Sequence, residues 1–205
     1  MSTAAVAPAR PAKVLADLLP SPALRAGAST RVRDIALVLG GAALTGLAAQ
    51  IAVPVPGSPV PVTGQTFAAL LVGTTLGVRR GASALAVYAL AGLAGVPWFA
   101  GGSSGVSVSF GYVLGMILAT AAVGALARRG ADRSVPRMAV TMLLGEAIIY
   151  LVGVPYLAYA ADMSASAAIA AGFTPFLIGD AVKAVLAMGL LPTAWKLVKG
   201  DGATE

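Results

Sequence analysis

The 205-residue chain contains no cysteine and no histidine. Disulfides and thiol catalysis are therefore excluded, and so are the usual zinc sites and a Ser-His-Asp triad. Charged residues make up only 11% of the chain and hydrophobic residues 58%, with a mean hydropathy of +0.88. A soluble domain carries about 25% charged residues. The composition predicts an integral membrane protein. Since no carboxylates cluster at metal-ligand spacing, we predict neither a metal site nor an enzyme.

Six apolar segments predict an all-α bundle of six transmembrane helices. They cover residues 35–53, 65–78, 82–96, 110–127, 138–161 and 175–198. The second and third are short for a bilayer core, which takes about 20 helical residues. Only Arg79, Arg80 and Gly81 separate these two segments. We therefore expect a tight reversal between them.

The basic residues predict the orientation of the bundle. Thirteen of the 14 Lys and Arg residues lie before the first segment, between the second and third, between the fourth and fifth, or at the end of the sixth. The loops at 54–64, 97–109 and 162–174 contain none. By the positive-inside rule, both termini are cytoplasmic and these three loops face outward. The net charge of +6 is thus explained by topology, and we predict no nucleic-acid partner.

The sequence divides into a membrane domain and two tails. Residues 1–33 are polar and rich in Ala and Pro, and they lack the continuous apolar core of a cleaved signal peptide. We predict a flexible cytosolic tail there, with a short helix near residues 12–19. Residues 34–199 form the predicted six-helix transmembrane domain, and residues 200–205 form a C-terminal tail.

Two charged residues, Asp180 and Lys183, interrupt the apolar run FLIGDAVKAVLAMGLLP at 176–192. Since they are three residues apart, they share one face of a helix. A charge at the bilayer centre costs about 2.5–3.5 kcal/mol on insertion scales, and such charges usually have a function. We predict a polar ligand site in the outer half of the membrane, loaded from outside. The alternative is a structural ion pair.

Other polar side chains fall near the same depth. Thr63 and Gln65 open the second segment, where Thr63 fits a helix cap or a ligand contact and Gln65 is favoured as a ligand contact. Tyr88 is mid-span, so its hydroxyl needs a partner. Glu146 and Tyr150 lie one turn apart in the fifth segment. Tyr150 is a candidate binding residue, while Glu146 fits a structural hydrogen bond as well as a ligand contact.

The outward loops have unusual compositions. Four prolines within residues 54–61 predict a stiff, extended lid. The loop at 97–109 joins Trp98 and Phe99 to a Gly/Ser run. Glycine lets a backbone approach a ligand closely, and Trp98 fits either stacking on a ligand or the headgroup region. Simple surface turns are the alternative.

The first segment contains small residues at helical spacing. Ala42 and Gly46 are four residues apart, which allows a close approach of another helix. They serve either packing inside the chain or docking to another membrane subunit, and the sequence favours neither.

Four stretches in order resemble one family. They are PVPVTGQT at 59–66, LGVRRGASALAVYALAGLAGVPWFAGG at 76–102, GYVLG at 111–115 and PFLIGDAVKAVLA at 175–187. With them the chain resembles the BioY family, the biotin-binding S-components of energy-coupling-factor (ECF) transporters. The resemblance covers roughly residues 34–198.

The resemblance implies biotin uptake across the cytoplasmic membrane by a high-affinity substrate-capture component. It implies a biotin site near the outer surface, capped by the loop after the first helix. A transmembrane coupling subunit would dock through Ala42 and Gly46, and partner ATP-binding subunits would hydrolyse ATP. No GxxxxGK[ST] motif is present in this chain, and no cofactor is expected.

Biotin would suit the candidate residues. Asp180 would accept from the ureido N–H groups and Lys183 would bind the carboxylate or a carbonyl, although the assignment of each charge to one end stays open. Gln65 and Tyr88 would add hydrogen bonds. The apolar ring would lie against Trp98, Phe99 and Phe176. The alternative function is a stand-alone secondary carrier for a small organic anion, with Asp180 or Glu146 as a proton relay.

Overall fold

The computed structural model describes residues 13–18 and 30–200, without the side chains of the last two. Residues 1–12, 19–29 and 201–205, which hold most of both predicted tails, lie outside the described residues. The described part is mostly helical, as predicted. A short 3-10 helix, Leu15–Asp17, is followed by α1 (Thr30–Ala49), β1 (Ala52–Val53), β2 (Val62–Thr63), α2 (Gln65–Leu93), α3 (Phe110–Ala127), α4 (Val135–Ala160), α5 (Ala165–Gly172) and α6 (Leu177–Gly200).

Much of the outer surface of the bundle is apolar. Four helical stretches are long and apolar enough to cross a membrane: Thr30–Ala49, Phe110–Ala127, Val135–Ala160 and Ala165–Val198. Large apolar side chains on them point away from the core, among them Leu47, Leu151 and Ile178. A soluble protein does not leave so much apolar surface uncovered. The fold is that of a membrane protein.

The helix α2 turns back on itself at Gly77. The backbone there has φ 78° and ψ 178°, a combination open essentially to glycine alone. A Cβ on Gly81 would lie 3.1 Å from the Cα of Gly73, whereas these residues would be about 12 Å apart along a straight helix. The two arms, 65–76 and 78–93, therefore form a helical hairpin. The expected reversal is present, one residue inside the predicted second segment.

The helix α3 lies at the centre, between the hairpin of α2 and the helix α4. Thr120 Oγ1 donates to the carbonyl oxygen of Ala69 at 3.1 Å. A Cβ on Gly73 would lie only 2.6 Å from the carbonyl oxygen of Thr120, so the contact needs glycine. Met116 and Val123 are buried in the same interface. The helix α6 packs against the other side of α4.

An ion-pair cluster closes the end of the bundle at the α2 reversal. Arg80 donates from Nη1 to Asp17 Oδ1 at 2.7 Å and from Nε to Asp34 Oδ1 at 2.8 Å. Arg33 donates to the carbonyl oxygen of Ala16. Val14 and Ala16 are buried. Residues 13–18, predicted to belong to a flexible tail, are thus packed against the membrane domain.

The same end joins α6 to the connection between α3 and α4. Trp195 Nε1 donates to Asp132 Oδ2 at 2.7 Å, and the Arg133 guanidinium lies 4.5 Å from the centre of the Trp195 ring. Burial raises the pKa of Asp132, against the opposing effect of the Trp195 hydrogen bond. Arg133 also donates to the carbonyl oxygen of Lys13 at 3.2 Å. Basic residues predicted for one membrane side therefore meet at one end.

The connection at 162–174 differs from the predicted loop. It contains α5, which begins after Ser164, whose Oγ accepts from Ala167 N at 3.2 Å. Ser164 is a good N-cap, and the segment ASAAIAAG is rich in the strongest helix former. The prediction of a plain loop was wrong because it did not weigh this cap.

Replacement of Gly77 by alanine should lower stability by about 1–3 kcal/mol, because the side chain disfavours this backbone conformation. An added Cβ would also lie 3.0 Å from Arg128 Nε. Thermal unfolding in detergent measures the effect. The matched control is Gly189→Ala in α6, where nothing lies within 4 Å. Equal unfolding temperatures for Gly77→Ala and the control would contradict the role of Gly77.

The Asp17–Arg80 pair should make stability depend on pH. Burial alone would raise the pKa of Asp17, but the hydrogen bonds from Arg80 and from the Val14 backbone, together with the charges of Arg80 and Arg128, outweigh it, so this pKa lies below its ordinary value of 3.8. A lowered folded-state pKa means that the stabilisation is present above pH 3.8 and is lost as the pH falls through the folded-state pKa. Asp17→Asn should therefore be less stable than wild type at neutral pH, and the difference should vanish in acid. A difference that persists unchanged in acid would contradict this.

Candidate functional site

A cavity opens at the end of the bundle opposite the ion-pair cluster. It holds about 600 Å³ of space between atoms, a figure that includes open solvent at its mouth. Seven of the nine predicted binding residues line it: Thr63, Gln65, Phe99, Tyr150, Phe176, Asp180 and Lys183. Residues from the β-hairpin, from α2, α3, α4 and α6, and from the 97–109 loop therefore converge here.

The charged pair lies in the cavity wall. Lys183 Nζ donates to Asp180 Oδ1 at 3.1 Å and to Thr66 Oγ1 at 2.8 Å. Tyr150 donates its hydroxyl to Asp180 Oδ2. The side chains of Asp180 and Lys183 are each 11% exposed. An ammonium has three N–H donors, so one N–H of Lys183 has no partner within the described residues.

The start of α6 helps to hold Asp180 in an apolar surrounding. The helix begins at Leu177, which places Asp180 in its first turn. The free N–H groups and the positive dipole end of a helix stabilise a carboxylate there. The ion pair with Lys183 and the Tyr150 hydroxyl supply the remaining compensation. These groups offset the desolvation of a buried charge, and they leave hydrogen-bonding capacity directed to the cavity.

Gln65 and Thr63 lie where the chain enters α2. Gln65 is the first residue of that helix and is 5% exposed. Its backbone N–H donates to Thr63 Oγ1 at 3.3 Å, but the N-cap residue is Gly64, so Thr63 adjoins the helix start without being the cap that one of its two predicted roles required. Both residues line the cavity as well. The Gln65 amide makes no side-chain hydrogen bond within the described part of the chain, which leaves it available to a ligand.

The proline-rich segment forms a short hairpin over the cavity. The strands β1 and β2 pair antiparallel, with Ala52 opposite Thr63. At the tip, Ser58 N donates to Val55 O at 3.1 Å, and Gly57 has φ 79°. Proline followed by glycine with positive φ is typical of a type II turn. Val60 and Pro61, on the returning side, line the cavity.

The cavity is otherwise mainly apolar. Phe99 and Phe176 are both largely buried and supply aromatic surface. Eleven further residues line the cavity and were not predicted as binding residues: Val60, Pro61, Thr66, Ala100, Ser107, Ser109, Phe110, Tyr112, Val113, Met116 and Ile149. Thr66 directly follows Gln65 in the sequence, and this position could have indicated that it lines the cavity. Val60, Pro61, Ala100, Ser107 and Ser109 come from the hairpin and the 97–109 loop, and the remaining five come from α3 and α4, where nothing in the sequence separates a cavity wall from core.

Tyr88 and Trp98 do not reach the cavity. Tyr88 is fully buried, and its hydroxyl donates to the carbonyl oxygen of Trp98 at 3.3 Å. Trp98 Nε1 donates in return to the carbonyl oxygen of Tyr88 at 2.9 Å. The Tyr88 ring packs edge-on against Phe99, with centroids 5.2 Å apart. The pair thus supports the loop that carries Phe99, one layer behind the lining.

Ala42 and Gly46 face the inside of the bundle. Ala42 is 1% exposed. A Cβ on Gly46 would lie 2.9 Å from the Trp98 ring, so glycine makes room for that indole. The sequence left two roles open, packing inside the chain and docking to another subunit. In the structure these residues pack inside the chain. Both residues are covered and present no surface to a partner subunit.

Comparison with known proteins gives the family. The sequence model of the BioY family matches residues 21–200. The chain belongs to the BioY family. The biotin transporter BioY2 of Lactococcus lactis subsp. cremoris is 33% identical over 77% of this chain and 87% of its own length. A probable biotin transporter BioY of Pyrococcus horikoshii is 35% identical over 77% of this chain and 93% of its own.

A solved structure supports the BioY fold. The S-component for biotin from an ECF-type ABC transporter superposes with a TM-score of 0.72, over 81% of this chain and 92% of that one, at 20% identity. The predicted likeness to an S-component bundle is confirmed at the level of the fold. The relatives are named as transporters, which agrees with the expectation that this BioY chain is not an enzyme.

Proposed function

We propose that this BioY protein captures biotin at the outer face of the cytoplasmic membrane and serves its uptake, as the substrate-binding S-component of an ECF-type ABC transporter. The observation that carries the proposal is the Asp180–Lys183 pair in a half-open apolar cavity. The names of the BioY relatives and the shared fold support the choice of biotin.

The cavity matches the chemistry of biotin. Biotin joins a ureido ring with two N–H donors and a carbonyl to an apolar sulfur ring and a carboxylate tail. Asp180 retains acceptor capacity for the ureido N–H groups, and Lys183 has an N–H that no described residue accepts, available to a carboxylate or carbonyl. Gln65 supplies a further amide. Phe99 and Phe176 offer the apolar surface that the sulfur ring needs.

Six membrane crossings are the arrangement that we propose. The two arms of α2 run about 18 Å and about 24 Å at 1.5 Å per residue, less than the roughly 30 Å of a bilayer core. As a hairpin, they count as two short crossings beside the four longer stretches. The basic end of the bundle would then be cytoplasmic by the positive-inside rule. The cavity, at the opposite end, would open outward beneath its proline lid.

Energy would come from partner subunits, since this chain has no phosphate-binding loop motif. The buried pair Ala42 and Gly46 is unavailable for docking. The exposed face of α1 instead presents Ala36, Gly40 and Ala43, and outside its own turn of helix no atom of residues 13–18 or 30–200 lies within 4 Å of a Cβ built on Gly40. Small residues at such spacing allow close helix packing in membranes. We place the contact with the transmembrane coupling subunit there, and ATP hydrolysis in its ATP-binding partners.

Biotin binding to the purified protein in detergent tests the proposal. Asp180→Asn and Lys183→Ala should each weaken binding about 30-fold or more, since a charge-assisted hydrogen bond is worth about 1.5–3 kcal/mol and its loss leaves a buried partner unpaired. Expression should persist. Tyr150→Phe should weaken binding by a smaller factor, because one donor to Asp180 is removed.

Two variants serve as matched controls. Lys196→Ala removes an exposed lysine from the same helix as Lys183, and Tyr159→Phe changes a tyrosine of α4 that is 88% exposed. Both should bind biotin as the wild type does. No binding of biotin by folded wild-type protein would reject the ligand. Biotin uptake without ATPase partners, abolished by an uncoupler, would favour a stand-alone carrier.

Docking is tested separately from binding. Gly40→Leu should reduce co-purification with the coupling subunit and biotin uptake in cells, because the larger side chain prevents close helix approach. Biotin binding by the isolated variant should be unchanged. Gly189→Leu, on an equally open surface of α6, is the control. Equal uptake by the two variants would move the docking surface away from Gly40.

A further inference from the structure

Glu146 is a buried carboxyl that the binding scheme above does not use. It lies in α4 and is 7% exposed. Neither Oε1 nor Oε2 has a hydrogen-bond partner within the described residues. The Thr66 hydroxyl lies beside it and accepts from Lys183 at 2.8 Å, but within the described residues it makes no hydrogen bond of regular geometry to either Glu146 oxygen. A buried ionised carboxylate without partners is among the most unfavourable arrangements in a protein.

The surroundings of Glu146 make its charge matter for the cavity. Asp180 and Lys183 in α6 are within electrostatic reach. Thr66 from α2 and Tyr150 from α4 itself are neutral polar groups beside it, and the cavity wall adds the neutral Gln65 and Tyr112. Asp180 and Lys183 are the only charged residues among those that line the cavity within the described chain. No second cation there compensates a second carboxylate.

The charge balance follows from these three groups. If both carboxyls are ionised, the cluster carries one net negative charge in an apolar setting. If Glu146 carries a proton, the Asp180–Lys183 pair leaves the cluster neutral. Biotin brings a carboxylate of its own, and adding it to a negative cluster is opposed by repulsion at low dielectric. The neutral form accepts an anion with much less penalty.

We propose that Glu146 is a proton-binding positioning residue of this site, and that an anionic ligand binds the form in which Glu146 carries a proton. This inference rests on the proposed capture of biotin. The proton neutralises Glu146, which leaves the Lys183 ammonium available to the ligand instead of to a second internal carboxylate. Glu146 acts through Lys183 and does not line the cavity.

The direction of the pH effect follows by linkage. Biotin binds the form of the protein in which Glu146 is protonated. In the pH range in which Glu146 of the empty protein loses its proton, the complex therefore holds more protons than the empty protein. Affinity for biotin should therefore fall as the pH rises through that range, by up to about tenfold per pH unit. Glu146→Gln has the shape and the charge of the protonated form. Its affinity should stay level over the same range.

The first experiment compares biotin dissociation constants across pH for wild type and Glu146→Gln in detergent. Asp162→Asn, which removes an exposed carboxyl outside the cavity, is the matched control and should follow the wild-type profile. Biotinamide, which lacks the negative charge, should show a shallower pH dependence on the wild type than biotin does. Identical profiles for wild type and Glu146→Gln would overturn the inference. Folded wild-type protein that binds no biotin at any pH would instead reject the proposed function.

A second measurement detects the proton on Glu146 directly instead of through the affinity for biotin. Infrared difference spectra of the biotin complex should contain the carbonyl stretch of a protonated carboxylic acid. Isotopic labelling of the carboxyl carbon of biotin shifts the frequency of the ligand's own carboxyl band, so that it can be told apart from a band of the protein. The remaining band should be absent from Glu146→Gln and present in Asp162→Asn. A wild-type complex without such a band, or a band that survives in Glu146→Gln, would overturn the inference.

Discussion

The burial of one aspartate and one lysine in an apolar wall constrains the rest of this molecule. Each charge is tolerable only with several partners, and these come from separate elements: the Tyr150 hydroxyl from α4, Thr66 from α2 and the first turn of α6 itself. Three helices must therefore meet at one depth. Among the described residues these polar groups are satisfied only in part, since one Lys183 N–H and the Gln65 side-chain amide have no partner, and the cavity is the space beside them.

The helical hairpin of α2 makes that space possible. Because Gly77 allows the chain to turn back, its two arms are too short to fill the full height of the bundle. The β-hairpin and the 97–109 loop cover the end left open. The loop is held by Gln50, whose Nε2 donates to the carbonyl oxygens of Gly46 and Trp98 at 2.9 and 3.1 Å. Hydrogen bonds of Gln50 hold this end of the bundle together, and the ion pairs of Arg80 hold the other end. The middle of the bundle is held mainly by apolar packing.

The sequence alone was sufficient to predict site residues where a charged side chain lies in an apolar segment. Asp180 and Lys183 stand out in an apolar run wherever they are met, and their spacing alone predicts a shared face. Aromatic and small residues carry no such signal. Trp98 follows Pro97 in a loop suited to a ligand, yet its indole packs on Gly46. That contact joins residues 52 positions apart, and only tertiary structure decides which side of a helix is covered. The same limit applied to Ala42.

Glu146 shows how the two kinds of information combine. From the sequence, a structural hydrogen bond and a ligand contact were equally supported, and the structure contains neither within its described residues. A carboxyl in that position has a third way to be stable, which is to carry a proton. Such a group has no charge that must be compensated, and its protonation responds to whatever charge enters beside it. A site with two acids and one lysine can then bind an anion. The second acid, when protonated, regulates the lysine without competing with the ligand for it.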